Sequence, residues 1–238
     1  MLKLAFAWLA SAAFAASLGF FLYSYLVVFG HSAPSTEHSA PSTQHPAPST
    51  TLNVLFFTIF ALHHSLFART GIKQFVRDRV PAGLERAIYT LVASVLFVLV
   101  CWLWLPVPGD AWRLGSAWRG VGYAVQATGI LITFLGARAL DVLDLAGVRQ
   151  LSDVPRTDPI LETRGVYGLV RHPVYFGWTL LVFGAPDMTC TRLAFAVVST
   201  LYLMVAIPFE ERSLGETFGP AYASYQRQVR WRMFPRIW

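Results

Sequence analysis

Six apolar runs dominate this chain: Leu4–Phe29, Leu52–Phe67, Ala87–Leu105, Val121–Leu140, Val174–Pro186 and Leu193–Phe209. About 20 consecutive apolar residues carry a helix across the hydrocarbon core of a bilayer. Four of the runs meet that length, and two are shorter. The last two are separated only by Asp187–Arg192, so they read as one helical hairpin that crosses and returns. Within lipid every backbone N–H and C=O needs an internal partner, which leaves helices or a closed barrel as the available folds. Runs this long and this continuous lack the alternation of barrel strands. The expected fold is therefore all-α: a polytopic membrane bundle of five to six transmembrane helices. The composition agrees, with 55% apolar and 13% charged residues.

Lys and Arg collect in short cytoplasmic loops, and this bias sets the expected orientation. Arg69, Lys73, Arg77, Arg79 and Arg86 follow the second run, Arg149, Arg156, Arg164 and Arg171 the fourth, and Arg212, Arg227, Arg230, Arg232 and Arg236 the sixth. Residues 31–51 contain no Lys or Arg, and the loop between the third and fourth runs holds only Arg113 and Arg119. Both termini and the basic loops are thus expected on the cytoplasmic side. The net charge of +6 follows from this asymmetry and from anionic headgroups, so it implies no nucleic-acid partner.

The expected organisation is an uncleaved N-terminal span over 1–30, a linker over 31–51, core helices over 52–140 and a catalytic region over 141–238. The linker repeats "HSAPSTE HSAPSTQ HPAPSTT" with a period of seven. Its Pro, Ser and Thr content predicts an extended, mobile segment. Nothing fixes the mutual geometry of His31, His38 and His45, and Cys101 and Cys190 are far apart, so neither a metal site nor a disulfide is expected.

Chemistry concentrates in the final third. Residues 150–167 are polar and broken by Pro155 and Pro159, which predicts a loop at the cytoplasmic mouth. Pro173 suits the first position of the next helix. The N-terminus of that helix would offer N–H groups to an anionic ligand, beside Tyr167, Arg171, His172 and Tyr175. Glu210 and Glu211 add carboxylates at the end of the sixth run. Together the two clusters suit a zwitterion carrying an amine, a carboxylate and a ribose.

The segments "GVYGLVRHPVYFGW" and "EERSLGETFGPAYASYQRQV" resemble the C-terminal signature of integral-membrane methyltransferases that use S-adenosylmethionine, the family of isoprenylcysteine carboxyl methyltransferase and the phospholipid methyltransferases. "FALHHSLFAR", "ERAIYTLVAS", "LDLAGVRQL" and "APDMTCTRLAFA" resemble its methanethiol S-methyltransferase branch, and the likeness runs from Asn53 to Pro235. The resemblance implies a cytoplasmic S-adenosylmethionine pocket formed by Gln150, Pro159, Ile160, Leu161, Tyr167, His172, Pro173, Tyr175, Glu210 and Glu211. It implies Arg171 and Glu210 as catalytic groups, a small lipophilic thiol as acceptor, and Glu210 as the inward member of the acidic pair. The stretch "LMVAIP" lacks the arginine that isoprenylcysteine enzymes carry there, which argues against a prenylcysteine carboxylate. Leu143, Ala146 and Gly184 stand where the thiol branch has bulkier aromatics and imply a roomier pocket. Tyr222 and Tyr225, at i and i+3 of a surface helix, would close over the cofactor. Methylation of a lipid or prenylcysteine carboxylate stays open as an alternative, as do two other classes: a sterol-reductase-like enzyme using NADPH, and a non-catalytic membrane partner.

Overall fold

The computed structural model describes residues 1–31, 46–66, 78–81, 83–138, 147–149, 151 and 160–238. Its elements are α1 (Leu2–Leu26), α2 (Pro46–Leu66), α3 (Glu85–Trp102), β1 (Asp110–Arg113), α4 (Ser116–Ala137), α5 (Pro173–Phe183), β2 (Asp187–Thr189), α6 (Cys190–Phe218) and α7 (Pro220–Gln228). Single 3₁₀ turns occupy Val28–Gly30 and Gly165–Gly168. Four segments are long and apolar enough to cross a membrane: Leu2–Gly30, Glu85–Trp102, Ser116–Ala137 and Cys190–Phe218. Helix α5 is apolar but has only 11 residues. The protein is a helical membrane bundle.

Two details depart from the sequence reading. Helix α2 starts at Pro46, inside the segment expected to be an extended linker. Proline is tolerated in the first turn of a helix because its missing N–H would have no partner there. The turn between α5 and α6 is a short strand, β2, paired with β1.

The chain divides into two compact units. The first comprises Met1–Gly109, Asp141–Thr157 and Thr189–Thr191. In it α1 packs along α3 through small residues, with Ala7, Ala10, Ala87 and Val148 forming a buried cluster. Further along, Phe97 lies 5.6 Å from Phe21 and 5.2 Å from Phe60, centroid to centroid. Asn53, fully buried in α2, donates to the carbonyl of Leu105 and accepts from its N–H, both at 2.8 Å. One side chain thereby satisfies both polar groups of a backbone position just past the end of α3. His64 is engaged in the same unit, its Nδ1 lying 2.8 Å from the Tyr89 hydroxyl and its ring stacked on Phe60.

The second unit comprises Asp110–Leu140, Asp158–Met188 and Arg192–Trp238 and contains Tyr167, Arg171, His172, Tyr175, Glu210 and Glu211. Its central contact is α4 against α5. Gly122, Gly129 and Gly136 recur every seven residues on α4, a seam that keeps one face toward a partner helix. A Cβ on Gly129 would lie 2.5 Å from the Leu181 nitrogen and 2.6 Å from the Gly177 carbonyl oxygen. Without a hydrophobic force between helices in lipid, such backbone proximity supplies the association. Gln126 adds a buried hydrogen bond from Nε2 to the Leu181 carbonyl, 3.0 Å. Gly184 belongs to this seam: its Cβ would lie 2.9 Å from Val125 and 3.0 Å from Gln126. Its small size thus serves helix contact rather than the roomier pocket expected from sequence; Leu143 and Ala146 lie outside the described residues.

Candidate active site

The α5 N-terminus is held by a length of chain far away in sequence. The N–H of Arg171 donates to the Trp231 carbonyl at 2.9 Å and that of His172 to the Arg232 carbonyl at 2.8 Å. His172 caps the helix and Pro173 follows as its first residue. The anion-receiving helix end expected from sequence is largely closed: Pro173 has no N–H, and the N–H groups of Tyr175 and Phe176 both donate to the His172 carbonyl.

The side chains of Arg171 and Glu211 meet in the interior, with only 7% and 6% of their surface exposed. Arg171 Nε donates to Glu211 Oε1 at 2.7 Å, and its Nη1 donates to the carbonyls of Val229 and Arg230, both at 2.8 Å. Arg232 Nε lies 3.2 Å from Glu211 Oε2, and His172 Nε2 lies 3.3 Å from Oε1. Glu211 is therefore surrounded by two guanidiniums and an imidazole. A buried carboxylate is tolerable only when paired and hydrogen-bonded in this way.

Glu210 is different. Its side chain is 43% exposed, Oε2 accepts a 2.7 Å hydrogen bond from the Tyr175 hydroxyl, and His172 Nδ1 stands 3.6 Å away. The His172 and Tyr175 rings stack at 5.5 Å and 9°. The imidazole thus sits between a buried carboxylate and an open one. The sequence predicts that Glu210 faces the cofactor and that Glu211 meets Arg212, solvent or headgroups. The structure corrects the placement of Glu211, which is buried: successive helical positions diverge by about 100°, and Glu211 is the one that points at Arg171.

Tyr167 lies under this cluster. Its hydroxyl donates to the Gly136 carbonyl at 3.1 Å and its own carbonyl accepts from the Tyr225 hydroxyl at 2.8 Å. Burial, then the charge of Glu210, raises its pKa. Tyr222 and Tyr225 are not a lid. They are buried with Val229, against Leu161, Leu214 and Phe218, so α7 docks as a packed helix. Burial raises the pKa of Tyr225, and burial followed by the Glu211 charge pushes Tyr222 up to about 12. The Tyr222 hydroxyl lies by the Arg171 guanidinium but makes no bond of hydrogen-bonding geometry.

Of the expected site residues, the structure brings together Tyr167, Arg171, His172, Pro173, Tyr175, Glu210 and Glu211. Leu161 packs beneath α7, and Ile160 is 83% exposed. Gln150 and Pro159 lie outside the described residues. Sequence reasoning missed Arg232, which reaches Glu211 and lies over the Trp238 ring at 5.5 Å. Its signal was the dense run of arginines after α7, read only as topology.

Residues 73–229 match a family model described as a protein of unknown function, DUF1295. Methanethiol S-methyltransferase of Pseudomonas deceptionensis is 38% identical over 192 residues, covering 75% of this chain and 70% of that protein. Its namesake in Mycobacterium tuberculosis strain H37Rv is 32% identical over 75% of each chain. A Nurim homolog of Drosophila melanogaster is 26% identical over 68% of each. No solved structure matches. With a family model over most of its length and curated methyltransferases at these identities, the chain belongs to the DUF1295 family and is an integral-membrane methyltransferase.

Proposed function

We propose that the chain transfers a methyl group from S-adenosylmethionine to a small lipophilic thiol such as methanethiol, giving dimethyl sulfide, at a pocket facing the cytoplasm. The observation that carries this reading is the division of labour between the two carboxylates. Glu211 is neutralised inside by Arg171, Arg232 and His172, and Glu210 is presented open by Tyr175 and His172. A methylated nucleoside sulfonium carries an ammonium group and ribose hydroxyls, donors that an open carboxylate accepts. The named acceptor of the methyltransferase relatives supplies the thiol. The orientation rests on charge: Arg113 and Arg119, at the opposite end of α4, are paired with Asp110 and Asp187 at 2.8 and 2.7 Å. Arg227, Arg230, Arg232 and Arg236 follow α7 in the sequence, and Arg232 reaches Glu211.

When bound, the donor supplies a methyl that leaves its sulfonium by in-line displacement, the thiol sulfur forming the new C–S bond and the old bond's electron pair staying on the donor sulfur. The protein aligns and desolvates, and alignment supplies most of the acceleration. Tyr175 and His172 fix Glu210, which would receive hydrogen bonds from the bound donor and would accept the thiol proton. Arg171 is a positioning residue: it ties Glu211 to the 229–231 backbone and so holds His172 in place.

Calorimetry on the purified protein with S-adenosylhomocysteine and, separately, NADPH tests the donor class. Binding of the first alone is expected. Headspace chromatography for dimethyl sulfide after addition of methanethiol and S-adenosylmethionine tests the acceptor. Binding of NADPH in preference would replace the methyl donor with a hydride donor.

A further inference from the structure

A concavity lies at the C-terminal end of α4. It has a volume of about 550 Å³ and is lined by Leu135, Arg138, Glu162, Arg164, Val166 and Tyr167, with Gly165. It shares Tyr167 with the candidate site, but none of His172, Tyr175 and Glu210 lines it, so the open carboxylate lies outside it.

Its walls differ in kind. Leu131, Phe134 and Leu135 are exposed on α4. Residues three, four and seven apart share one helix face, so this apolar stripe leads to Arg138, whose guanidinium lies 6.0 Å from the centroid of the Phe134 ring. Helix α4 has 22 residues, or about 33 Å at 1.5 Å per residue, which matches a hydrocarbon core of about 30 Å. Arg138, just past its last turn, therefore stands at headgroup depth, and the exposed stripe below faces acyl chains. Across the cavity Arg164 contributes a second guanidinium. No hydrogen bond or ion pair engages either side chain among the described residues. The lining's one carboxylate, Glu162, is turned onto its own backbone: Oε1 accepts the N–H groups of Thr163 at 3.0 Å and Arg164 at 2.8 Å.

We infer that this cavity binds the phosphate headgroup of an anionic phospholipid, with Arg138 and Arg164 as its ligands and the Leu131–Phe134–Leu135 stripe against its acyl chain. A free phosphate would satisfy the arginines but leave Leu135 and Val166 against water. A zwitterionic headgroup would bring a cation toward two cations. The lipid meets both demands together.

The test uses the full chain in non-ionic detergent and native mass spectrometry with phosphatidylglycerol and phosphatidylcholine of matched acyl chains. A basic residue near an anionic lipid surface contributes about 1 kcal/mol, or roughly fivefold in affinity. Arg138→Gln with Arg164→Gln should therefore lower phosphatidylglycerol retention about 25-fold. Arg227→Gln should leave it unchanged, and S-adenosylhomocysteine affinity by calorimetry should not move. Arg164→Gln alone, in a loop, gives the same answer at fivefold if the double variant misfolds. Equal retention of the two lipids by the wild type, or undiminished retention by the variants, overturns the inference. So does displacement of the lipid by millimolar inorganic phosphate, which would mark a plain anion site. Loss of S-adenosylhomocysteine binding in the variants would make the cavity part of the donor pocket, an outcome that leaves the methyltransferase reading intact.

Discussion

Replacing each carboxylate of the Glu210–Glu211 pair by its amide separates a structural charge from a ligand-binding one. Glu211→Gln removes the anion that Arg171 faces at 2.7 Å, His172 at 3.3 Å and Arg232 at 3.2 Å. Arg171 is 9% exposed and cannot turn to water. Removing one partner of a buried ion pair costs about 3–5 kcal/mol because the other charge is left uncompensated. A chain of this size loses about 2–4 °C in Tm per kcal/mol. The expected drop is therefore roughly 6–20 °C, read as tryptophan-fluorescence melting in detergent. Glu210 is 43% exposed and its amide keeps the acceptor oxygen for Tyr175, so Glu210→Gln should melt within about 2 °C of wild type. Its effect falls on the donor: a hydrogen bond to a charged group contributes about 1.5–3 kcal/mol, so S-adenosylhomocysteine should bind roughly 10- to 100-fold more weakly. Arg171→Leu should cost about as much stability as Glu211→Gln, and Arg171→Leu with Glu211→Leu less than the sum of the two singles. Early melting of Glu210→Gln with donor affinity intact, and wild-type melting of Glu211→Gln, would refute this assignment.

Tyr175→Phe removes the 2.7 Å bond that orients Glu210 and should weaken S-adenosylhomocysteine binding about 2- to 10-fold with no change in melting. Gly129→Ala places a Cβ 2.5 Å from the Leu181 nitrogen and should destabilise by about 1–3 kcal/mol; Gly120→Ala, with nothing within 4 Å, should not, and equal melting of the two would refute the α4–α5 seam. Tyr222 ionises near 10 when unfolded and near 12 when folded, so above pH 10 the unfolded chain binds fewer protons and stability falls as pH rises. Wild-type Tm should thus decline more steeply between pH 9.5 and 11.5 than that of Tyr222→Phe, and parallel curves would refute the shift.

The bundle was legible because lipid leaves a chain few choices. Apolar length fixes where helices can cross, and the four longest runs are the four segments that the structure makes long and apolar enough to span. The site was legible as a neighbourhood for a similar reason: "RHPVY" and "EER" each sit at the end of an apolar run, where charges gather. Periodicity could not supply the third component. The chain after α7, with the Trp231 and Arg232 carbonyls and the Arg232 guanidinium, folds back on α5 through backbone pairing that leaves no pattern in side-chain types.

That missing component decides which carboxylate is which. Read along α6 alone, Glu210 and Glu211 are equivalent, and a motif can favour either as the inward one. What breaks the symmetry is Arg171, anchored by the Val229 and Arg230 carbonyls, which creates a buried positive charge on one side of α6 only. Glu211 faces that charge and is consumed by it; Glu210, rotated by about 100°, is left with Tyr175, His172 and the open side. The Gly122–Gly129–Gly136 seam acts one step earlier. It sets α5 close against α4, and with Tyr167 bridging the Gly136 carbonyl to Tyr225 it ties that helix pair to α7. The spacing of seven was present in the sequence, but glycine there reads as a weak helix until a partner helix is known. Packing of small residues thus places the polar cluster, and the cluster's buried charge decides which carboxylate stays open.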